Sequence, residues 1–565
     1  MTEFPASATA PPSLHDRPPS LHDRLLLALL GAKTLALGSQ RHGRLLAWGG
    51  LAVIVVIAAV ARLWRLGNPH QLVFDETYYV KDAYTLWNLG FEGRWPSPPD
   101  PNTAFEAGQV NGFLDEAAFV VHPQVGKWLI ALGIHLGGGA ESAFAWRIAN
   151  AAVGVIAVIL VARIARRLFA STLAGLAAGL FMAVDGLAIV HSRIALLDQF
   201  LMLFVLVAFG CLLVDRQQFR RRLAARVAAQ VDAGAAVSGG TAVAGYAGDW
   251  RWPGMPTRWW RLAAGLALGL SIGVKWSGVY FLAVFGLLTV VWDLTARRTV
   301  ARTIDDGNNP APRWLARGIF ADGLGAFAFM VPTAVVVYVA SWWSWFASPG
   351  AWGRQWAVEN PGQGISWLPA ALRSFIHYHQ EMWNFHTTLE AAHPYAANAP
   401  GWIIQWRPTS FFWERGEGAA GCGRGLNGQD CAQAITSLGN PILWWLAALA
   451  IILLIAWGGR LRDWRALAAI SGTIAGWLPW FAYLSRTTFT FYAIVFTPWM
   501  IFTLVYVAVV AFERVSARRR IALTVTTWTV VALILVVSVL FYPIWSAASV
   551  PFPYWQHLMW LPTWV

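Results

Sequence analysis

Two adjacent carboxylates, Asp75 and Glu76, follow an apolar run, Leu46–Trp64, that is long enough to cross a bilayer. Acidic side chains are costly near hydrocarbon unless they pair, meet water or do chemistry. A carboxylate held at a bilayer surface beside a phosphosugar could polarise an acceptor hydroxyl as that oxygen attacks the sugar carbon. A neutral hydroxyl is a poor nucleophile, so positioning and proton removal matter most. The leaving phosphate is already acidic and needs cations more than a proton donor. Arg147, Arg193, Lys275 and Arg486 could supply them, arginine as a bidentate fork and lysine as a compact point charge. Each residue also has a plain structural reading. Asp75 can cap a helix starting near Thr77 with Glu76 or Asp82 solvated, and Arg147 or Arg193 can snorkel, or pair with Asp198.

The histidine-rich run from His377 to His393 contains His386 and Glu390 but lacks the His-Glu-x-x-His spacing of a zinc helix. His386, Glu390 and His393 share a helical face only if a helix continues up to Pro394. No metal site is assigned. Histidines at headgroup level more often bind phosphate or sugar hydroxyls, or satisfy backbone groups.

These residues must be positioned by membrane helices. Of 565 residues, 57% are hydrophobic and only 13% charged, where a soluble domain carries roughly a quarter charged. Trp and Tyr gather at the ends of recurring apolar runs, as interfacial belts do. The net charge of +13 could point to nucleic acid, but most Lys and Arg fall in alternate loops, so the basic balance reports orientation and no nucleic acid partner is expected. Spans are expected at 46–66, 144–163, 170–187, 194–214, 261–275, 277–293, 320–341, 440–458, 467–485, 488–511 and 521–543, about eleven in all. Arg-rich loops on both sides of 261–293 require an even number of crossings there, with a turn at Lys275–Gly278. The same reasoning places a turn between Asp185 and Asp198. An odd total leaves the N-terminus cytoplasmic and the C-terminus outside, and brings Asp75, Glu76, His122, Lys127, Arg147, Asp185, Arg193, Asp198, Lys275 and Arg486 to one outer face.

The expected organisation is a largely disordered cytoplasmic tail (1–45), a membrane module (46–341) with a first outer loop (67–143), a large outer loop (342–439), C-terminal spans (440–543) and an outer tail (544–565). In the tail a seven-residue segment occurs twice, ending at Arg17 and Arg24, and the short run Leu25–Leu37 is expected to lie along the interface. Both outer loops are expected to include interfacial helices, one near Thr77–Leu89. Cys422 and Cys431 are disulfide candidates in an oxidising compartment, and Cys211 is read as a packing residue within a span.

The chain resembles the protein O-mannosyltransferases. Phe74-Asp-Glu76 resembles that family's acidic pair, and His122-Pro-Gln-Val-Gly-Lys127 its His-Pro-Pro-x-Gly-Lys element. Trp146-Arg147, Ser192–Asp198, Val274–Gly278 and the segment from His386 through Trp406, Arg407 and Pro408 also look like family elements. Gln124 departs from the pattern at the second proline. The resemblance implies an all-helical, multispan type C glycosyltransferase fold in a plasma membrane, without the β-trefoil of eukaryotic members. It implies a polyprenyl-phosphate-mannose donor and Ser/Thr-containing acceptor polypeptides, with the export machinery as a candidate partner that the residues do not settle. It casts Asp75 as catalytic base with Glu76 in support, and Arg147 as a brace for the first loop. Lys127, His122, Arg193, Asp198, Lys275 and His393 would hold donor phosphate, sugar or acceptor, and His386, Glu390, Trp406 and Arg407 would support the acceptor loop. Single displacement with inversion follows from one base on one face, since a covalent intermediate needs a second carboxylate across the sugar. The rival readings are a transferase of the same architecture acting on a lipid or cell-wall glycan, and a secondary transporter. The second would show repeated, matched broken helices and midplane charges, which this chain lacks.

Overall fold

The computed structural model describes residues 19–37, 41–98, 100–237, 258–304, 312–416, 430–461 and 463–565. Long helices account for most of it, numbered here in chain order: α1 Leu21–Leu30, α2 Arg41–Leu63, α3 Glu76–Leu89, α4 Val125–Leu136, α5 Ala143–Phe169, α6 Thr172–Val184, α7 Gly186–Arg193, α8 Asp198–Val237, α9 Trp259–Val274, α10 Gly278–Ile304, α11 Pro312–Ala340, α12 Ala370–Thr388, α13 Pro441–Leu461, α14 Trp464–Trp477, α15 Thr497–Arg514 and α16 Ala517–Ser546.

Every expected apolar run is helical, yet fewer than eleven helices could cross a membrane by length and composition. Among the described residues seven qualify, or eight if α6 and α7, bent by 57° at Asp185, form one span. The run at 261–275 becomes the 16-residue α9, and the run at 467–485 breaks after Trp477 into a 3-10 turn at Leu478–Ala482 that contains Pro479. A proline supplies no backbone N–H to continue a helix. The chain is a multi-pass membrane protein.

Local chemistry sets the breaks. Asp185 accepts a hydrogen bond from Ala188 N at 3.1 Å as the cap of α7, and two more from Asn440 N and Trp444 Nε1, which tie the bend to α13. Small residues permit close helix packing: a Cβ on Gly269 of α9 would lie 2.7 Å from the Ala334 carbonyl of α11.

Two expectations change. The tail is not wholly without structure: α1 lays Leu25 and Leu29 against Phe219, Leu223 and Val227 of α8 and Val300 of α10, so this run packs on the bundle. The segments between the long helices are not all helix either. β1 (Thr409–Arg415), β2 (Cys431–Ser437) and β3 (Val550–Pro551) form an antiparallel sheet in the order β1-β2-β3. Cys431 is disulfide-bonded and Cys211 is free, whereas Cys422 lies outside the described residues.

Candidate active site

The loop between α2 and α3 carries Asp75, and two buried arginines fix its course. Arg193 donates to the carbonyls of Ala61, Arg62, Trp64 and Arg65 at 2.8 to 3.3 Å. These include the last carbonyls of α2, which have no partner inside the helix. Arg147 donates to the carbonyls of Leu66, Pro69 and Gln71 and forks onto Glu76 at 2.9 and 2.8 Å. Glu76 also accepts from the backbone of Val73 and Ala195, and both members of the ion pair are fully buried. A buried pair with every lone pair used is a positioning device. Glu76, Arg147 and Arg193 therefore hold the loop, not a ligand, and Arg193 does not pair with Asp198.

Asp75 occupies the cap position of α3, but its side chain makes no capping bond. Its carboxyl instead accepts from Tyr79 Oη, one turn on, at 3.4 Å. Burial pushes this acid up to about 6, with Asp198 adding to the rise and Lys275 and Tyr79 opposing it. Lys275, at the break between α9 and α10, donates to Asp198 at 2.7 Å and lies 5.3 Å from the Tyr492 ring. Chain positions far apart thus converge around Asp75.

Beside this group opens a cavity of about 700 Å³. His122, Asp198, Lys275, His386, Arg486 and Tyr492 form its polar end, while Ile272, Val279, Leu282, Ala334 and Val335 line an apolar flank. His386 Nε2–H donates to the Val121 carbonyl at 2.8 Å, leaving Nδ1 to accept from Arg486 at 3.4 Å. Burial and the cations Arg486 and Lys275 hold His386 down at about 4. His122 stacks on His386 at 5.3 Å between centroids and is held well below its usual range by burial and by Lys275. Both rings are neutral near pH 7. His122 Nδ1 and Arg486 Nη1 are buried without a partner, so this end of the cavity presents Lys275, a guanidinium edge and an imidazole to an anion.

Other expected ligands lie elsewhere. Lys127 is enclosed by Glu92 at 2.9 Å and Asp82 at 3.3 Å, so Asp82 is paired and Lys127 is not free for phosphate. Gln124, in place of a proline, donates to Glu92 at 3.0 Å and accepts from Ser344 at 2.9 Å, tying the segment before α4 to the one after α11 by side-chain bonds. His393 packs edge-on against Phe489 and Phe74, next to Asp75, and is not in the cavity wall. Glu390 is exposed beyond the end of α12 at Thr388, so it shares no helical face with His386. Trp406 is 53% exposed, and Arg407 donates to the Pro394 and Thr563 carbonyls. Sequence reasoning did not single out Tyr79, Glu92 or Tyr492. Tyr79 was within reach, since a residue four positions on shares the face of Asp75.

Comparisons with known proteins give the family. Residues 121–236 match the family model described as dolichyl-phosphate-mannose-protein mannosyltransferase. Residues 371–564 match the C-terminal four TMM region of protein-O-mannosyltransferase. The polyprenol-phosphate-mannose–protein mannosyltransferase of Mycolicibacterium smegmatis (strain MKD8) is 35% identical, over 92% of this chain and 93% of its own. The protein of the same name in Mycobacterium tuberculosis (strain H37Rv) is 33% identical over 92% of both chains. The solved Saccharomyces cerevisiae protein O-mannosyltransferase complex bound to the sugar donor superposes with a TM-score of 0.66 at 15% identity, covering 94% of each chain, which is a likeness of fold.

Proposed function

Since this chain belongs to the polyprenol-phosphate-mannose–protein mannosyltransferase family, we propose that Asp75 is the base that moves mannose from the lipid carrier to a Ser or Thr hydroxyl. The chain is a glycosyltransferase, its donor is polyprenol-phosphate mannose, and its acceptor is a protein.

The observation that supports the residue assignment is that the charges of Lys275 and Asp198, both in the wall of a cavity whose polar end gathers cations, act on the Asp75 carboxyl. The donor phosphate sits against Lys275, Arg486 and His122, with the lipid along the apolar flank. The acceptor oxygen attacks the anomeric carbon, the bond from that carbon to the phosphate oxygen breaks, and Asp75 takes the hydroxyl proton. Lys275 and Arg486 receive the charge that develops on the leaving phosphate. Asp198 is neutralised by Lys275, so it serves as that cation's anchor and not as a nucleophile across the sugar. A β-linked donor then gives an α-mannosyl product.

The alternation of Arg-rich loops supports a cytoplasmic N-terminus and a site on the outer side of the plasma membrane. Acceptors emerging from the export machinery are the polypeptides such a site would meet. Membranes containing the protein, incubated with labelled polyprenyl phosphomannose and a Thr-rich peptide, should yield labelled peptide that α-mannosidase releases. Label confined to lipid or glycan, or a bond resistant to that enzyme, would overturn the proposal.

A further inference from the structure

Four tyrosines line the cavity, Tyr280, Tyr338, Tyr483 and Tyr492. The first three have engaged hydroxyls: Tyr338 Oη accepts from Trp276 Nε1 at 2.9 Å and meets His379 Nε2 at 2.6 Å, and Tyr280 donates to Tyr483 at 3.4 Å. Tyr492, on the 3-10 turn Thr490–Phe496, makes no hydrogen bond through its hydroxyl among the described residues. The residue is half-buried, and its oxygen is not one of the side-chain atoms sealed inside the protein. That oxygen therefore opens onto the space its ring lines, which is the cavity. A phenol carries one donor hydrogen and an acceptor oxygen, so Tyr492 offers a polar group that a ligand can reach and no protein group uses.

Ring contacts place this hydroxyl relative to the cations. Lys275 Nζ lies 5.3 Å from the centre of the Tyr492 ring, Tyr492 packs on Trp480 at 5.2 Å between centroids, and Arg486 Cζ lies 5.7 Å from the centre of the Trp480 ring. All four side chains line the cavity. The two rings thus pave the wall from one cation to the other. Trp402 and Phe491 meet Tyr492 edge-on at 5.7 and 4.9 Å and hold its ring in that position.

We infer that Tyr492 is a further ligand of the donor phosphate, its O–H donating to a non-ester phosphate oxygen held between Lys275 and Arg486. This rests on the reading above that the phosphate lies against those two cations. A hydroxyl that donates to an anionic oxygen makes a shorter and stronger bond than one between neutral groups. No proton moves along it, because a phosphodiester is a far weaker base than a phenolate. Tyr492 orients the phosphate and meets the charge that grows there as the bond to the anomeric carbon breaks, while proton removal from the acceptor belongs to Asp75.

The test uses the full-length protein in lipid nanodiscs and compares the binding of polyprenyl phosphate with that of the polyprenol of equal length, which lacks the phosphate. Tyr492→Phe keeps the ring and its contacts and removes only the hydroxyl. It should weaken binding of polyprenyl phosphate by roughly tenfold to a hundredfold, the worth of one hydrogen bond to a charged group, and leave binding of polyprenol unchanged. In the transfer assay kcat/KM should fall by at least the same factor. Replacing Tyr492 by 4-aminophenylalanine, which restores a donor at the same place, should recover most of the loss. Tyr492→Leu carries the same comparison if the Phe variant is not recovered. Unchanged binding of polyprenyl phosphate in the variant, or equal losses for the phosphate and the alcohol, would overturn the inference. A wild type that binds the two lipids equally would instead overturn the placing of the phosphate at Lys275 and Arg486, and this inference with it.

Discussion

At one end of α8, Asp198 meets Lys275 at 2.7 Å in the wall of a cavity. About 25 Å along the same helix, Asp215 closes onto Arg258, which also reaches Asp293 of α10 at 2.9 Å, and Arg261 joins both carboxylates at 3.3 and 2.6 Å. Arg297 and Asp322 clasp each other beyond them at 2.6 Å. The carboxylates of the far cluster are closed off, each meeting two or more guanidinium nitrogens inside the bundle, although Arg261 Nε makes no hydrogen bond of its own. The near cluster is open: Asp75 has one long contact from Tyr79, and Arg486 Nη1 and His122 Nδ1 have none. Charges that stabilise a fold are matched to one another, whereas those facing the cavity are left with capacity for a ligand.

Removing one cation from each cluster should separate these roles. Lys275→Met takes away phosphate stabilisation that grows in the transition state, and kcat/KM should fall by about 10²- to 10³-fold in the transfer assay. Arg258→Met leaves Arg261, among the described residues, as the one remaining partner of two buried carboxylates and should destabilise the protein by about 3–5 kcal/mol. Thermal melting in detergent would show that loss, with turnover per folded molecule unchanged. Equal losses of turnover in the two variants would erase the distinction.

The pH dependence is a finer probe. Burial raises Asp75 to about 6 while Lys275 holds it down and Asp198 holds it up. A base acts deprotonated, so kcat/KM should drop as pH falls through about 6 and level off above it. Asp198→Asn removes a neighbouring negative charge and should move that acid limb to lower pH. Lys275→Met should move what activity remains to a higher one. An unmoved limb in both variants would place the titrating group elsewhere.

The contrast between the clusters was only partly legible in the sequence. Loop charge and acid position grouped Asp75, His122, Asp198, Lys275 and Arg486 on one expected face, because membrane crossing is binary and a charge near hydrocarbon is conspicuous, and four of these residues, all but Asp75, line one cavity. Spacing could not show which cations were already committed. Arg193 and Arg147 are occupied by carbonyls of an irregular loop, and Lys127 by Glu92, which no motif marked. The sheet escaped notice because β1 and β2 flank a long polar insertion and β3 comes from the far C-terminus. The count of eleven spans is not confirmed: among the described residues α9, α13 and α14 fall short of the length or composition that marks a span.

Donor binding and mannose transfer measured together on Asp75→Asn test the base assignment most directly. The amide keeps the shape of the carboxylate and cannot accept the proton, so the variant should insert normally, bind polyprenyl phosphomannose nearly as the wild type does, and transfer essentially nothing to a Thr-rich peptide. Turnover close to that of the wild type, with the donor bound, would contradict a base at Asp75.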